Sequence, residues 1–246
     1  MLYTELFKSM ESVRWNMATD IPWQDFDRSK LTDEQAQTIK MNAITEWAAL
    51  PATEMFLRDN RDDSDFSAFM SVWFFEEQKH SLVLIEYLRR FAPDLVPTEE
   101  ELHRVRFEFD PAPPLETLML HFCGEVRLNH WYRRASDWHT EPVIKEIYKV
   151  IAQDEARHAG AYLRYMKRAL TQRGQEIGAQ ARMAFAKIGV LMQNDDFGKD
   201  YMKGLLDGLG DKAKTMVTHH LTYEVTDPTI DSQIVTLKSA GVDVFV

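Results

Sequence analysis

The feature that most constrains this chain is a recurring spacing of glutamate and histidine. Glu77 and His80 are three residues apart, and so are Glu155 and His158. Residues at this spacing lie on one face of an α-helix. A lone glutamate precedes each pair, so the order along the chain is Glu, Glu-x-x-His, Glu, Glu-x-x-His. Four helices that turn these side chains inward would bring four carboxylates and two imidazoles to one point.

The acids occupy positions of the apolar helical stripe. Glu46 falls between Ala43 and Leu50, and Glu125 follows Phe122 at a spacing of three. A carboxylate buried without a partner is costly, and metal ligation is an economical way to hold several together. Carboxylate and imidazole donors suit iron or manganese. The sequence therefore predicts a site for two metal ions with the ligands Glu46, Glu77, His80, Glu125, Glu155 and His158.

The alternative interpretation is that these residues form buried ion pairs or solvated helix faces. A single Glu-x-x-His pair is weak evidence, because chance alone produces such matches. A third pair, Glu100 and His103, lies in a polar stretch between Pro97 and Pro111 and is interpreted as solvated. The order of all six residues, and not any one pair, supports the metal site.

Composition limits the class of protein. The 246 residues are 45% hydrophobic and carry a net charge of −10, which argues against a nucleic-acid partner. The single cysteine, Cys123, allows no intrachain disulfide and suits a reducing compartment. Neither an apolar leader nor a run of membrane-spanning length is apparent. We expect a soluble, cytoplasmic protein with no membrane partner.

Periodicity and capping signals predict one all-α domain over 1–246, with a core at about 31–173 and a helical extension at about 174–246. Thr32 and Gln35 form a capping box at the first core helix, and Pro51 predicts a kink within it. A proline-rich crossover over 92–114 joins the second and third core helices. The core helices are expected at about 32–60, 65–91, 114–137 and 140–173. A further helix is expected over 176–193 and two short helices over 198–221. One more helix is expected from 227 to about 241, followed by an apolar end over 242–246.

Three segments resemble the soluble acyl-acyl-carrier-protein desaturases, which belong to the ferritin-like di-iron carboxylate superfamily. They are Ile44–Pro51, Glu76–His80 and Asp154–His158. The resemblance covers roughly residues 31–168. It implies a ferritin-like four-helix bundle with a long crossover, two iron ions held by the six ligands, and a homodimer. Replacement of one iron by manganese stays open.

The segment from Trp15 to Gln35 resembles instead the ribonucleotide reductase small subunit. That resemblance implies that Asp154 accepts a hydrogen bond from the non-ligating nitrogen of His80, and that Trp15 lies beyond it. Such a chain would carry electrons from an external donor to the metals. Trp23 is the alternative tryptophan in this role.

The chain also departs from the families that it resembles. Leu84 stands where the reductase small subunit carries its radical tyrosine, which speaks against a tyrosyl-radical role. Leu128 and Asn129 stand where desaturases and related monooxygenases, respectively, carry a threonine. The expected function is therefore a di-iron, O2-activating oxidoreductase, desaturase- or hydroxylase-like, acting on an aliphatic or acyl-type substrate. The alternatives are a ferroxidase without an organic substrate and a non-catalytic bundle with a vestigial site.

Overall fold

A computed structural model describes residues 1–184 and 187–246, with only the backbone described over 180–184. The chain is mostly helical and includes a small three-stranded sheet. The helices of the first part are α1 Leu2–Glu11, α2 Asp33–Glu46, α3 Ala49–Asp59, α4 Ser64–Phe91, α5 Glu99–His103, α6 Pro114–Trp138 and α7 Pro142–Ala184. The remaining elements are β1 Ile188–Gln193, α8 Asp196–Leu209, α9 Ala213–Met216, β2 Val217–Tyr223, α10 Asp231–Ser239 and β3 Val244–Phe245.

The chain divides into two compact units, Met1–Leu163 and Arg164–Val246. The boundary falls within α7. The sequence predicted one domain over 1–246, with a core at about 31–173 and a helical extension beyond it. Within the described residues, no helix is both long enough and apolar enough to cross a bilayer.

The predicted capping box begins α2. The Thr32 hydroxyl accepts the backbone N–H of Gln35, and the Gln35 side chain accepts that of Thr32. The predicted single helix over 32–60 is instead two helices, α2 and α3, separated at residues 47–48. Pro51 explains the break, because its ring would clash with the carbonyl of Trp47 in a continuous helix.

The core of the first unit lies among α2, α4, α6 and the first part of α7. Along α4, the completely buried Val83, Leu84, Tyr87 and Leu88 belong to a cluster that also holds Ile147. Burial of aliphatic and aromatic side chains of this size is the main favourable term in folding. The packing fixes which faces of the helices turn inward.

Hydrogen bonds link α6 to the first part of α7. The Asn129 amide donates to the carbonyl of Ala152 at 2.6 Å, and the Ser136 hydroxyl donates to the carbonyl of Lys145 at 3.0 Å. Glu141 caps α7 by accepting the backbone N–H of Ile144 at 2.9 Å. The proline-rich connection before α6 contains the short helix α5, on which Glu100 and His103 are exposed as expected.

The second unit contains a parallel sheet of strand order β2-β1-β3, so the expectation of helices alone is wrong there. The helix predicted over 176–193 is replaced by the end of α7 and by β1; residues 185–186 of that prediction lie outside the described residues. Ile188 and Val190 of β1 pack with Leu205 and Leu209 of α8. Parallel neighbouring strands require a crossover connection. The connection from β1 to β2 contains α8, and the connection from β2 to β3 contains α10.

Glycines lie where α7, beyond its predicted end at Arg173, packs against α8. A Cβ at Gly174 would lie 2.3 Å from the carbonyl oxygen of Tyr201, and one at Gly204 would lie 1.9 Å from that of Thr171. In the interior of an isolated helix, a glycine is destabilising relative to alanine. These glycines instead allow the backbones of α7 and α8 to approach closely.

Candidate metal centre

Four helices bring the six predicted ligand residues together. Glu46 ends α2, Glu77 and His80 lie in the middle of α4, and Glu125 lies on α6. The first part of α7 contributes Glu155 and His158. All six residues are at most 4% exposed. The predicted convergence of four carboxylates and two imidazoles is therefore present in the structure.

The six residues form two overlapping groups. One comprises Glu46, Glu77, His80 and Glu155, and the other comprises Glu77, Glu125, Glu155 and His158. Within each group, one candidate ligand atom per residue lies within 4.8 Å of all the others. Each group has its own histidine and its own lone glutamate, and both share Glu77 and Glu155. Each group could hold one metal ion.

The two shared carboxylates divide their oxygens between the histidines. Glu155 Oε1 lies 3.6 Å from His80 Nδ1, and Glu155 Oε2 lies 3.5 Å from His158 Nδ1. Glu77 Oε2 lies 3.9 Å from His80 Nδ1, whereas Glu77 Oε1 lies 2.8 Å from His158 Nδ1. This is the arrangement in which a carboxylate can bridge two ions.

Each lone glutamate lies near one of the two histidines. Glu46 Oε2 lies 3.5 Å from His80 Nδ1, and Glu125 Oε2 lies 3.5 Å from His158 Nδ1. The imidazole rings are 6.0 Å apart between their centroids. The cluster thus has two similar halves, related by the repeated motif in the sequence.

Beyond His80, the predicted hydrogen-bond chain is present. His80 Nε2 lies 3.0 Å from Asp154 Oδ2, and the Trp15 indole N–H donates to the same oxygen at 2.7 Å. An ionised carboxylate only accepts, so Nε2 donates to Asp154 and Nδ1 is the nitrogen left for a metal. Trp23, the alternative, donates instead to the carbonyl of Met17 at 2.8 Å.

Beyond His158, the corresponding partner is Glu76, to which the sequence analysis assigned no role. Its Oε2 lies 3.0 Å from His158 Nε2, and Arg14 Nε donates to its Oε1 at 3.3 Å. The signal was present in the sequence. An acid directly precedes the ligand glutamate in both motifs, as Glu76-Glu77 and as Asp154-Glu155. Each of these acids bonds the histidine of the other motif.

Two further donors were also missed. The Tyr132 phenol, 1% exposed, donates to Glu46 Oε1, and the Trp73 indole N–H donates to Glu125 Oε1 at 2.8 Å. Trp73 lies four residues before Glu77, and Tyr132 lies seven residues after Glu125. Both spacings place the aromatic ring on the same helix face as the acid. The two donors orient the lone glutamates.

Burial and charge crowding alter the protonation of the cluster. Burial, together with the neighbouring Glu125 carboxylate, raises the pKa of Glu77 to about 7. Burial likewise raises the pKa of Glu155 well above its usual value. Burial alone would lower the pKa of His80, but the carboxylates around it, Glu46 first, raise it to about 9. In the metal-free protein, protons therefore offset the clustered negative charge.

The ligand atoms lie close to one another but lack well-aligned hydrogen bonds. Buried polar atoms are almost always hydrogen-bonded. In this cluster six buried atoms have no hydrogen-bond partner: Glu77 Oε1, His80 Nδ1, Glu125 Oε2, Glu155 Oε1, Glu155 Oε2 and His158 Nδ1. Cations would satisfy all six, and two divalent ions would balance the charge of four carboxylates. The residues present therefore fit a pair of metal ions.

A groove opens on the surface between α2 and α6 beside this cluster. Its outer part has a volume of about 870 Å³ and is lined by Met41, Trp131 and Trp138 among others. An adjoining pocket of about 290 Å³ shares Met41 and Trp131 and reaches Tyr132, whose phenol bonds Glu46. The groove thus approaches the cluster from the side of Glu46.

Comparison of the chain with protein-family models, with curated proteins and with solved structures found no match.

Proposed function

We propose that this protein is a non-haem di-iron oxidoreductase with a ferritin-like four-helix bundle, which uses O2 to desaturate or hydroxylate an aliphatic or acyl-type substrate. The observation that carries the proposal is the pair of ligand groups sharing Glu77 and Glu155. Each group presents three carboxylates and an imidazole whose outer nitrogen already has an acceptor. This donor set suits iron, and also manganese in place of one iron.

The ligands divide between two ions. His80 and Glu46 would hold the first ion, and His158 and Glu125 would hold the second. Glu77 and Glu155 would hold both. Two iron ions bound there would supply the redox chemistry for O2 activation, which no side chain of the cluster can supply. The protein positions the ions, excludes water and delivers electrons and protons.

Asp154 and Glu76 position the histidines. Each accepts the Nε2–H of one imidazole, which fixes the tautomer and directs Nδ1 at the ligand group. Asp154 also accepts from Trp15, an indole near the surface at 8% exposure. The chain Trp15–Asp154–His80 is the route by which an external one-electron donor would reduce the centre.

The groove beside Glu46 favours an organic substrate over iron handling alone. Pockets for small molecules are mostly apolar with a few placed polar groups. Met41, Leu128 and Trp131 line the inner pocket, which extends to the hydroxyl-bearing side chain of Tyr132. A ferroxidase needs only a polar path for iron, and the apolar lining gives such a protein no advantage.

The function is tested by turnover of the iron-loaded protein. The chain, loaded with ferrous iron, is given a chemical reductant, O2 and dodecanoate, and the products are analysed by mass spectrometry. We expect loss of two hydrogens or gain of one oxygen in the wild type and none in Glu77→Ala. Glu100→Ala, in the exposed Glu-x-x-His pair, serves as the matched control and should retain activity.

Two results would contradict the oxidoreductase proposal. Oxygen consumption that follows added ferrous iron alone, with no change in any aliphatic compound, would indicate a ferroxidase. An iron-loaded chain that never consumes O2 in the presence of reductant would indicate a vestigial site.

A further inference from the structure

One helix face beside the groove carries a row of cationic and imidazole side chains. Arg127, His130 and Arg134 follow one another along α6 at spacings of three and four, so they share a face. Arg127 and His130 line the inner pocket, and His130 and Arg134 line the outer groove. All three are exposed, and neither arginine has an ion-pair partner among the described residues.

An apolar floor runs beside this row. Trp131 and Trp138 of α6 are 47% and 45% exposed, and Met41 of α2 is 50% exposed. The residues of α6 that line the groove run from Arg127 to Trp138, which is a length of about 16 Å at about 1.5 Å per residue. Large apolar side chains at this exposure, gathered around one concave surface, mark a binding site.

Charge decides what kind of ligand fits. The whole chain carries a net charge of −10, yet the inner pocket is lined by Arg127 and His130 with no acid. Asp137 is the one acid lining the outer groove, where Arg134 offsets it. A ligand with an aliphatic chain and one carboxylate would bury its chain against the tryptophans and pair its head with an arginine.

We propose that this groove binds a free medium-chain fatty acid, with its carboxylate held by the Arg127–His130–Arg134 row and its chain lying along Met41, Trp131 and Trp138. The proposal rests on the function proposed above, since it names the substrate class of that site. The inner pocket reaches Tyr132, whose phenol bonds Glu46, so the groove that binds the fatty acid adjoins the cluster.

Binding is measured on the full metal-free chain, so that no activity is needed. Monomeric dodecanoate and dodecan-1-ol are titrated by calorimetry and by quenching of tryptophan fluorescence. We expect the Arg127→Gln/Arg134→Gln double variant to bind dodecanoate about tenfold more weakly, because a charge-assisted hydrogen bond is lost. Binding of dodecan-1-ol should not change. Arg133→Gln, an exposed neighbour that does not line the groove, should bind both as the wild type does.

A separate variant tests the apolar surface that contacts the aliphatic chain of the fatty acid. Trp131→Ala should weaken dodecanoate and dodecan-1-ol by similar factors, because it removes apolar contact without removing charge. Equal loss of dodecanoate binding in Arg133→Gln and in the double variant would overturn the assignment of the row. So would absence of dodecanoate binding together with binding to phosphatidylglycerol vesicles, or a groove covered by a second copy of the chain.

The iron titration separates this inference from the proposed function. Failure to bind dodecanoate by a chain that binds two iron ions would reject the fatty-acid site and leave the metal centre intact. Binding of dodecanoate by a chain that binds no iron would reject the metal centre and leave the fatty-acid site intact.

Discussion

Asp154 and Glu76 hold the two histidines in equivalent ways, although they lie on different helices. Each directly precedes a ligand glutamate, and each accepts a hydrogen bond from Nε2 of the histidine in the other motif. Neighbours of this kind fix ligand orientation and basicity. The repeated motif therefore supplies both the ligands and the groups that orient them.

The first prediction concerns these two acids. Asp154→Ala and Glu76→Ala should each lower the affinity for one of two ferrous ions by about 10–100-fold, because one imidazole loses its acceptor. Anaerobic isothermal titration measures both sites. Glu100→Ala is the control, since its carboxylate is exposed and belongs to the Glu-x-x-His pair outside the cluster. Wild-type affinities in both variants would show that the two acids do not support the ligands.

The second prediction is the pH dependence of the metal-free protein. The pKa of Glu77 is raised from 4.5 to about 7 and that of His80 from 6.5 to about 9, so the folded state holds more protons. Stability from such groups is complete below the unfolded pKa and is lost as pH rises through the folded pKa. The melting temperature of the metal-free protein should therefore fall between pH 6.5 and 8.

Other groups set the limits of this window. Burial lowers the pKa of His121 and His139 to about 4, which makes stability rise with pH up to 6.5. Burial also lowers the pKa of Lys79 to about 8, so its contribution likewise makes stability rise with pH above 8. Bound metal displaces the protons of the cluster, so the melting temperature of the metal-loaded protein should not fall between pH 6.5 and 8. A melting temperature that rises between pH 6.5 and 8 without metal would contradict this account.

Among the elements, α7 was predicted at its beginning and not at its end. Pro142 and the preceding Glu141 are local signals, and the helix begins there. Its continuation past Gly174 depends on close contact with α8, which no local pattern reveals. The strand β1 was missed for a related reason. An apolar run such as residues 188–192 fits a buried strand and a buried helix equally well.

The third prediction tests the glycine contact. Gly204→Ala should destabilise the unit of residues 164–246, because the added Cβ would lie 1.9 Å from the Thr171 carbonyl oxygen. Hydrogen exchange of the α8 amides should become faster. Gly160→Ala, in α7 at a position where an added Cβ would have nothing within 4 Å, is the control. It should be neutral or stabilising by up to about 1 kcal/mol. Equal exchange of α8 in both variants would contradict the close approach.

For the molecule as a whole, the sequence predicted the cluster of candidate ligands better than the fold around it. Two Glu-x-x-His pairs and two lone glutamates on apolar stripes can be recognised in the sequence, because each helix repeats its face every few residues. Tyr132 and Trp73 share those faces but are ordinary core residues by type, so their hydrogen bonds to the lone glutamates appear only in three dimensions. The parallel sheet of the second unit depends on pairing between distant segments and had no comparable local signal.

The central claim is that the two overlapping ligand groups bind two metal ions. Ferrous iron titrated anaerobically into the full chain should bind at two ions per chain, and anomalous diffraction should place both between His80 and His158. Glu125→Ala, which alters one group, should leave one tight ion, whereas Glu155→Ala, which alters both, should weaken both. Two ions retained with unchanged affinity in Glu155→Ala, or no ion bound by the wild type, would contradict the account.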